Sequence, residues 1–500
     1  MAPKEFRVIV VGGGPVGLTL ANTLSKAGIE YVVLERRPAV AEDVGASLVL
    51  GPHGMRPLAQ LGLLDRLREI SVELTEKQVT TDDGHPYYTI SNYDEFKTGY
   101  GCVLHVFNRA HLVRAIYDNL SESDKPRVLL NKKVTEITAD DAGVTVRCAD
   151  GTKYNGSMVI GADGVHSVVR KHMRAIALRQ SPGIDIDDEK PFVSEYKTMW
   201  CSFPLQGDKH DGPPGTAGDA HAKDHSVQYL VGHDRAWIFV YERLPAPTRE
   251  RVDYTQEDVA AFAEKWGNLS IGTKLKIKDI FPQRYHAGMS NLGEGILKRW
   301  SWGRIVLTGD AAHKFTPNPG QGFMNGIEDA VALTNELYHV LHPNEPSYGE
   351  KAEVIESEVN PSTGVLSNAF QRFQKSRLVG VQAGLEMSAT ETRTSTWLKT
   401  RYWFFDWWML PYFPKWLVTL MVRYVFRGRV RYGVVLDFVE GKEPFEGRYT
   451  WVNRIPSPGS KKAIRNANKS SRAVPILSVL GVCGISVAVY MANGSRYRMY

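Results

Sequence analysis

Five hundred residues are enough for two domains with a sizeable core. The net charge of +6 is uneven: from Ser395 onward there are 17 Lys+Arg and 5 Asp+Glu, a net of +12, which leaves −6 on the rest. A basic end of this kind suits an anionic membrane surface, and no stacked-aromatic RNA motif or zinc module suggests nucleic acid as a partner.

Phe6 to Val11 (FRVIVV) reads as a short buried strand rich in β-branched residues. Gly12-Gly13-Gly14-Pro15-Val16-Gly17 follows at once. In such a turn Gly12 permits the tight bend, Gly14 lets the backbone approach a pyrophosphate, and Gly17 lets the next helix pack on the sheet. That helix, Pro15 to Lys26, aims its free N–H groups at the phosphates and ends at Gly28. Tyr31 to Leu34 reads as the second strand. Glu35, 18 residues after Gly17, is placed to accept hydrogen bonds from ribose hydroxyls, and a carboxylate there selects FAD or NAD over NADP.

Met158-Val159-Ile160 is a further short strand, delivering Gly161-Ala162-Asp163-Gly164. Arg304 to Leu307 is another, ending in Gly309-Asp310, and Pro317-Asn318-Pro319-Gly320-Gln321-Gly322 then opens a helix. A carboxylate at a strand end, Asp163 or Asp310, can hold a ribityl hydroxyl. Gly320 to Gly322 would set backbone N–H groups beside a flavin ring and pyrophosphate. One glycine motif alone is weak evidence; three in this order describe a chain that wraps FAD from both ends of a discontinuous domain. No second GxGxxG marks a separate nicotinamide domain, and HExxH and CxxC are missing, so no metal site is expected.

Between these motifs, Phe192 to Phe203 and Ser226 to Tyr241 alternate in a strand-like way and predict a sheet that roofs the flavin. Tyr196, Lys197, Tyr229 and Trp237 are candidates for its lining, with ordinary sheet packing as the alternative for each. His221 and His225 lie four apart near Asp219 and Asp224. The Gly-, Pro- and Asp-rich stretch from Asp208 to His225 reads as a solvated loop instead of a metal site. Cys102, Cys148, Cys201 and Cys483 show no framework spacing, which fits a reduced, cytosol-facing protein. Met1 to Phe6 does not read as a signal peptide.

Tyr402-Trp403-Phe404-Phe405-Asp406-Trp407-Trp408, followed by Tyr412, Phe413, Trp416, Tyr424 and Phe426, has the density of Trp and Tyr that suits a headgroup region. The alternatives are a buried aromatic cluster or a second membrane hairpin. Residues 473–494 carry no charge and are long enough to span a bilayer, the alternative being a buried core helix. Lys461, Lys462, Arg465, Lys469 and Arg472 before that stretch, against Arg496 and Arg498 after it, place the catalytic part in the cytosol, with the endoplasmic reticulum as the expected membrane.

The three glycine motifs, with Val44 to His53 (VGASLVLGPH) and Asn108-Arg109-Ala110-His111-Leu112, resemble the single-component, group A FAD-dependent monooxygenases. The resemblance is greatest to fungal membrane-associated members that oxidise terpenoid and meroterpenoid intermediates. It implies that Glu35 and Arg109 bind the adenosine and phosphate portion of FAD and that Asp310 binds the ribityl-pyrophosphate. Ala46, Val49 and Phe323 would contribute backbone contacts. For Arg109 a surface salt bridge is the other reading. The family follows Gly-Gln-Gly with any residue and then Asn, whereas here Met324 takes that place and Asn325 comes one later. Among the sheet candidates the resemblance favours Tyr229 as an active-site tyrosine that orients substrate or supplies a proton.

The fold class implied is α/β: a discontinuous Rossmann-like FAD domain (1–180 and 287–390, with sheet insertions near 75–105), a β-sheet substrate domain (181–286), an aromatic interface region (391–460) and a C-terminal membrane helix. The activity implied is NAD(P)H- and O2-dependent transfer of one oxygen, through a flavin C4a-hydroperoxide, to a small hydrophobic metabolite, epoxidation ahead of hydroxylation. No obligate protein partner is evident. Hydroxylation of a phenolic quinone precursor and a non-catalytic flavin-bound lipid escort are the competing readings.

Overall fold

The structure, a computed structural model, describes residues 6–457 apart from 44, 92, 208–211, 344–359, 415, 421–422 and 424–428. A six-stranded sheet carries the three motifs. Arg7–Val11 lies at its centre, flanked by Met158–Gly161 on one side and Glu30–Leu34 on the other, all parallel. Ile305–Leu307 adds next to Met158–Gly161, also parallel. These strands are apolar on both faces, as a sheet covered by helices requires. The helix Pro15–Lys26 covers one face and packs on the long helix Gln321–Leu341.

The register matters more than the strand count. Val11 pairs with Gly161, Gly161 with Leu307, and Val11 with Leu34. Backbone hydrogen bonds stitch the strand ends: Gly12 N–H to Leu34 O (2.9 Å), Ala162 N–H to Val11 O (2.8 Å) and Thr308 N–H to Gly161 O (2.9 Å). Three turns widely separated in sequence therefore leave the sheet at one level, at its carboxyl edge, where doubly wound sheets bind ligands.

The second sheet has eight strands. In spatial order they are His313–Lys314, His286–Ile296, Val193–Pro204, Arg235–Thr248, His225–Val231, Thr216–His221, Glu76–Thr81 and Pro86–Ile90. The sheet thus extends past 286, where the sequence reading ended the substrate domain. Both of its faces are covered. Met199, Cys201, Phe203, Val227, Tyr229, Ile238 and Val240 form a separate core with Val259, Phe262 and Ile277 from the helical segments Gln256–Lys265 and Ile277–Ile280. The other face looks toward the first sheet and the 33-residue helix Thr363–Ser395.

The expected solvated loop before His225 is corrected here. Thr216–His221 is a strand buried along its whole length, hydrogen-bonded between Glu76–Thr81 and His225–Val231. Glycines and acids read as loop signals, but Gly218 stands against Tyr229 and Asp219 is ion-paired, so both are accommodated in the sheet.

The aromatic segment forms short helical turns over Thr400–Phe404, Phe405–Met409 and Leu410–Tyr412. Tyr402, Phe405 and Leu410 anchor it to the body, while Phe404, Trp408, Tyr412 and Trp416 are exposed. Among the described residues no helix is long and apolar enough to cross a membrane. The expected span at 473–494 lies outside the described residues.

Candidate functional site

The three glycines of the first motif have different reasons. At Gly12 φ is +108°, and a Cβ would meet Ala162 O at 2.4 Å; at Gly17 it would meet Gly12 O at 1.8 Å. Both positions are fixed by protein packing. At Gly14 an added Cβ would meet no atom within 4 Å, yet Gly14 borders a cavity of about 590 Å³. Its bareness leaves room for a ligand at the N-terminus of Pro15–Lys26, where free N–H groups favour an anion.

That cavity gathers most residues singled out in the sequence. Gly12, Gly14, Glu35, Ala46, Val49, Arg109, Asp163, Asp310, Gly322 and Phe323 all border it. Gly17 does not, being under the turn. Glu35 is buried, with Oε2 accepting from Gly13 N–H (2.6 Å) and Oε1 from Arg37 N–H (2.8 Å). Carboxylate oxygens have further lone pairs, so this arrangement fixes Glu35 in place and leaves acceptors for ribose hydroxyls. Ala46 and Val49 flank and enter the strand Ser47–Leu50, which pairs with His105–Asn108, and Ala46 O accepts from Arg109 N–H at 3.1 Å. Asn108 caps the helix that Arg109 begins.

The Arg109 guanidinium makes no hydrogen bond or ion pair with any described residue. Burial, then the neighbouring Arg37, lowers its pKa, while Asp310 and Glu35 act in the other direction. The surface-salt-bridge reading of Arg109 is therefore corrected: it is a cation held at the cavity wall without an ion-pair partner among the described residues. Lys314 has the same character. It lines the cavity without a side-chain hydrogen bond to any described residue, and burial lowers its pKa. Two such cations, an open glycine turn and two helix N-termini match a dinucleotide's pyrophosphate.

Asp163 borders the cavity and is also held by its own protein contacts. Its carboxylate accepts from Ser167 Oγ (2.5 Å), Val168 N–H (2.6 Å) and Val169 N–H (3.1 Å) and so ties down the start of helix Val168–Gln180. Asp310 sits in the turn Gly309–Ala311, and its carboxylate accepts no hydrogen bond from any described residue. That turn is anchored from behind by Asp329, whose Oδ2 accepts from Gly309 N–H (2.9 Å) and lies 2.6 Å from His313 Nε2, while Oδ1 accepts from Arg377 Nε (2.9 Å). Burial alone would raise the Asp329 pKa; His313 and Arg377 outweigh it and hold it down at about 2. The unusual Met324 is buried, and its sulfur faces Gly51 N–H at 3.2 Å, while Asn325 Nδ2 donates to Gln321 O within the helix.

Tyr229 is corrected. It is 2 % exposed, belongs to the outer core and stacks on Phe203, while its neighbours Gln228 and Leu230 line the cavity. A strand alternates faces, and this sheet is buried on both, so the sequence pattern could not tell which face lined the cavity. Lys197 also lies outward, paired with Glu242 at 3.1 Å. Tyr196 donates to or accepts from Thr396 Oγ1 (3.0 Å), and Trp237 packs over Gly232; neither borders the cavity. The residues that do form the roof are Thr198, Trp200, Gln228, Leu230, Phe239, Ser290 and Leu292, with Lys77 and Glu391 at its polar end. Gln228 Nε2 donates to Asn318 O at 2.9 Å and so ties the roof to the Pro317–Gly322 loop.

His221 is buried and belongs to a charged cluster, not a loop. Its Nδ1 lies 2.8 Å from Asp406 Oδ2 and its Nε2 3.8 Å from Asp219 Oδ2. Burial would lower its pKa, but Asp406 and Asp219 prevail and raise it to about 9. No group of side chains suited to a metal ion occurs among the described residues. Cys102, Cys148 and Cys201 are buried thiols without disulfides.

Residues 5–348 match the family model described as an FAD binding domain. The chain is 34% identical over 396 residues to the FAD-dependent monooxygenase verC1 of Penicillium polonicum, covering 78% of this chain but only 47%, about half, of that protein. It is 34% identical to the FAD-dependent monooxygenase cdmI of Talaromyces verruculosus, covering 76% of this chain and 77% of that one. With the FAD-dependent monooxygenase srdH of Neurospora crassa it shares 31% identity over 90% of this chain and 99% of that one. Among solved structures, Klebsiella pneumoniae HpxO complexed with FAD and uric acid superposes with a TM-score of 0.63 at 19% identity, over 83% of this chain and 95% of that one. For p-nitrophenol 4-monooxygenase PnpA from Pseudomonas putida the TM-score is 0.61 at 22% identity, over 80% and 92%. At these identities the structures establish the shared fold.

Two outcomes follow from the geometry. Asp329→Asn removes the charge that faces Arg377 and His313, so it should cost about 2–4 kcal/mol of stability and lower the flavin content of the purified protein; thermal unfolding and absorbance at 450 nm measure both. Tyr229→Phe should leave turnover within about twofold of wild type, since an outer-face hydroxyl is not in reach of substrate; a loss of a hundredfold would return Tyr229 to the active site.

Proposed function

The chain belongs to the FAD-binding-domain family of FAD-dependent monooxygenases, and on that premise we propose that it uses NADH or NADPH and O2 to insert one oxygen into a hydrophobic, prenylated or terpenoid secondary metabolite. The family sets aside the lipid-escort reading. The observation that carries the proposal is that one continuous cavity holds both ends of the site. It runs from the glycine turn and Arg109 to Phe315 and a roof whose apolar residues are Trp200, Leu230, Phe239 and Leu292. One end suits a dinucleotide and the other an apolar substrate, with no separate nicotinamide domain between them.

FAD, when bound, supplies the electron transfer and oxygen activation. Arg109 and the N-terminus of Pro15–Lys26 would hold its phosphates, Glu35 its ribose, and Asp310 its ribityl chain. Gly320 to Gly322, at the start of Gln321–Leu341, offer backbone N–H groups beside the ring, and Phe323 follows them into the helix. The apolar roof excludes water and sets the substrate's pose. Two electrons come from the nicotinamide; one oxygen atom enters the substrate and the other leaves as water. Alkene epoxidation requires no general base, whereas ring hydroxylation of a phenol gains from one.

We further propose a cytosol-facing enzyme held at the endoplasmic reticulum by residues 473–494. The uncharged sequence and its basic flank support this, as do the exposed Phe404, Trp408, Tyr412 and Trp416, which would rest at the headgroup level.

With the detergent-purified, flavin-loaded chain, prenylated aromatics or terpenoid alkenes should stimulate NAD(P)H oxidation while H2O2 stays low. Unstimulated oxidation that ends entirely in H2O2 across the panel would sink this substrate class. In vesicles containing brominated lipids the tryptophan fluorescence should be quenched, and Trp408→Phe with Trp416→Phe should reduce that quenching. Emission unaffected by brominated lipid would place the aromatic patch in water.

A further inference from the structure

The apolar cavity ends in charge. Lys77, on strand Glu76–Thr81, and Glu391, near the end of helix Thr363–Ser395, both line it, are nearly inaccessible to solvent, and lie 3.1 Å apart. Lys77 also pairs with Asp219 on the adjacent strand. Asp219 stands by His221, and His221 by Asp406, which further accepts from Tyr87 OH (2.7 Å) and Trp397 Nε1 (2.8 Å). Strand register puts Ala217, Asp219 and His221 on one face, beside Lys77 and opposite Leu230 and Gln228. Flavin binding requires no such group, and the five buried ionisable side chains are held by pairing with one another.

We propose that Lys77 and Glu391 are specificity-determining residues that bind one hydroxyl group of an otherwise apolar substrate, the hydroxyl donating to Glu391 and accepting from Lys77. Asp219, His221 and Asp406 are positioning residues that hold Lys77 at the cavity wall. The charges decide the class. Lys77, Asp219 and Glu391 sum to −1, and the pair His221–Asp406 adds nothing when the imidazole is protonated. A carboxylate substrate is repelled, and a neutral phenol or alcohol is favoured. An ether can only accept, so it loses the contact to Glu391 while Glu391 keeps its pairing with Lys77.

This inference rests on the proposed apolar substrate class and sharpens it. The test uses the flavin-loaded full chain and perturbation of the flavin spectrum on titration with a prenylated phenol, its methyl ether, and the corresponding prenylbenzene. Wild type should bind the phenol about tenfold or more tighter than the ether, the difference expected of a hydrogen bond to a charged group. Glu391→Gln, which keeps the shape, should shrink that ratio to about threefold or less and leave ether binding nearly unchanged. His221→Gln should weaken phenol binding more than ether binding while the flavin content stays as in wild type; an equal loss for both would mean that His221 is merely structural. Equal affinity for phenol and ether in wild type, or full discrimination in Glu391→Gln, overturns the inference and leaves the proposed function intact. If none of the three perturbs the flavin of wild type, the apolar substrate class falls and this inference with it.

Discussion

The close packing of Gly12 against Ala162 and Asp163 is the contact on which the rest of the site depends. It is possible only because strands Arg7–Val11 and Met158–Gly161 are parallel neighbours ending at the same level, with Gly17 passing directly over Gly12. Ile305–Leu307 extends the same edge and brings Gly309 and Asp310 to it. Each motif is a turn that any α/β protein could contain. Their value comes from convergence: one sheet edge delivers two helix N-termini, an open glycine, and carboxylates within reach of one ligand. A side chain at Gly12 would separate two of the three turns, which is a steric constraint, independent of any ligand.

The second sheet solves a different problem. A substrate site for an apolar molecule must be dry, yet the sheet that roofs it must be stable without the substrate. Covering the outer face with Gln256–Lys265 and the adjoining short helix supplies that stability from a core that never meets the cavity. The inner face is then free to carry residues chosen for contact, including Lys77, Trp200 and Gln228. The long helix Thr363–Ser395 closes the arrangement. Near its middle Arg377 braces the Asp310 turn through Asp329, and near its end Glu391 reaches the roof, so one rigid element spans both halves of the site.

Much of the dinucleotide half was legible because each requirement there is local. A strand, a glycine turn, a helix and an acid follow one another within about thirty residues, and the sequence displays all four. Pro15–Lys26 begins and ends where the proline and Gly28 placed it. The substrate half depends on long-range pairing. Tyr229 failed because the strand is buried on both faces: Gln228 turns to the cavity and Val227 and Tyr229 to the outer core, and alternation alone does not say which side is which. Lys77 and Glu391 are 314 residues apart and meet only through the tertiary fold. His221 was noticed, but composition favoured a loop; a parallel strand from the 76–81 insertion covers it instead, and no local signal announces that partner. Lys314 carried a weak signal, as a lone cation four residues after Asp310 in an otherwise small and apolar run.

The account's central claim is that the cavity couples a dinucleotide end to an apolar substrate end for oxygen insertion. Turnover under 18O2 with NAD(P)H and a prenylated phenol, followed by mass spectrometry of the product, tests it most directly. The account predicts one labelled oxygen per product molecule, with the label absent when 18O is supplied as water. A product that is oxidised without gaining labelled oxygen, or that takes its oxygen from water, would contradict it.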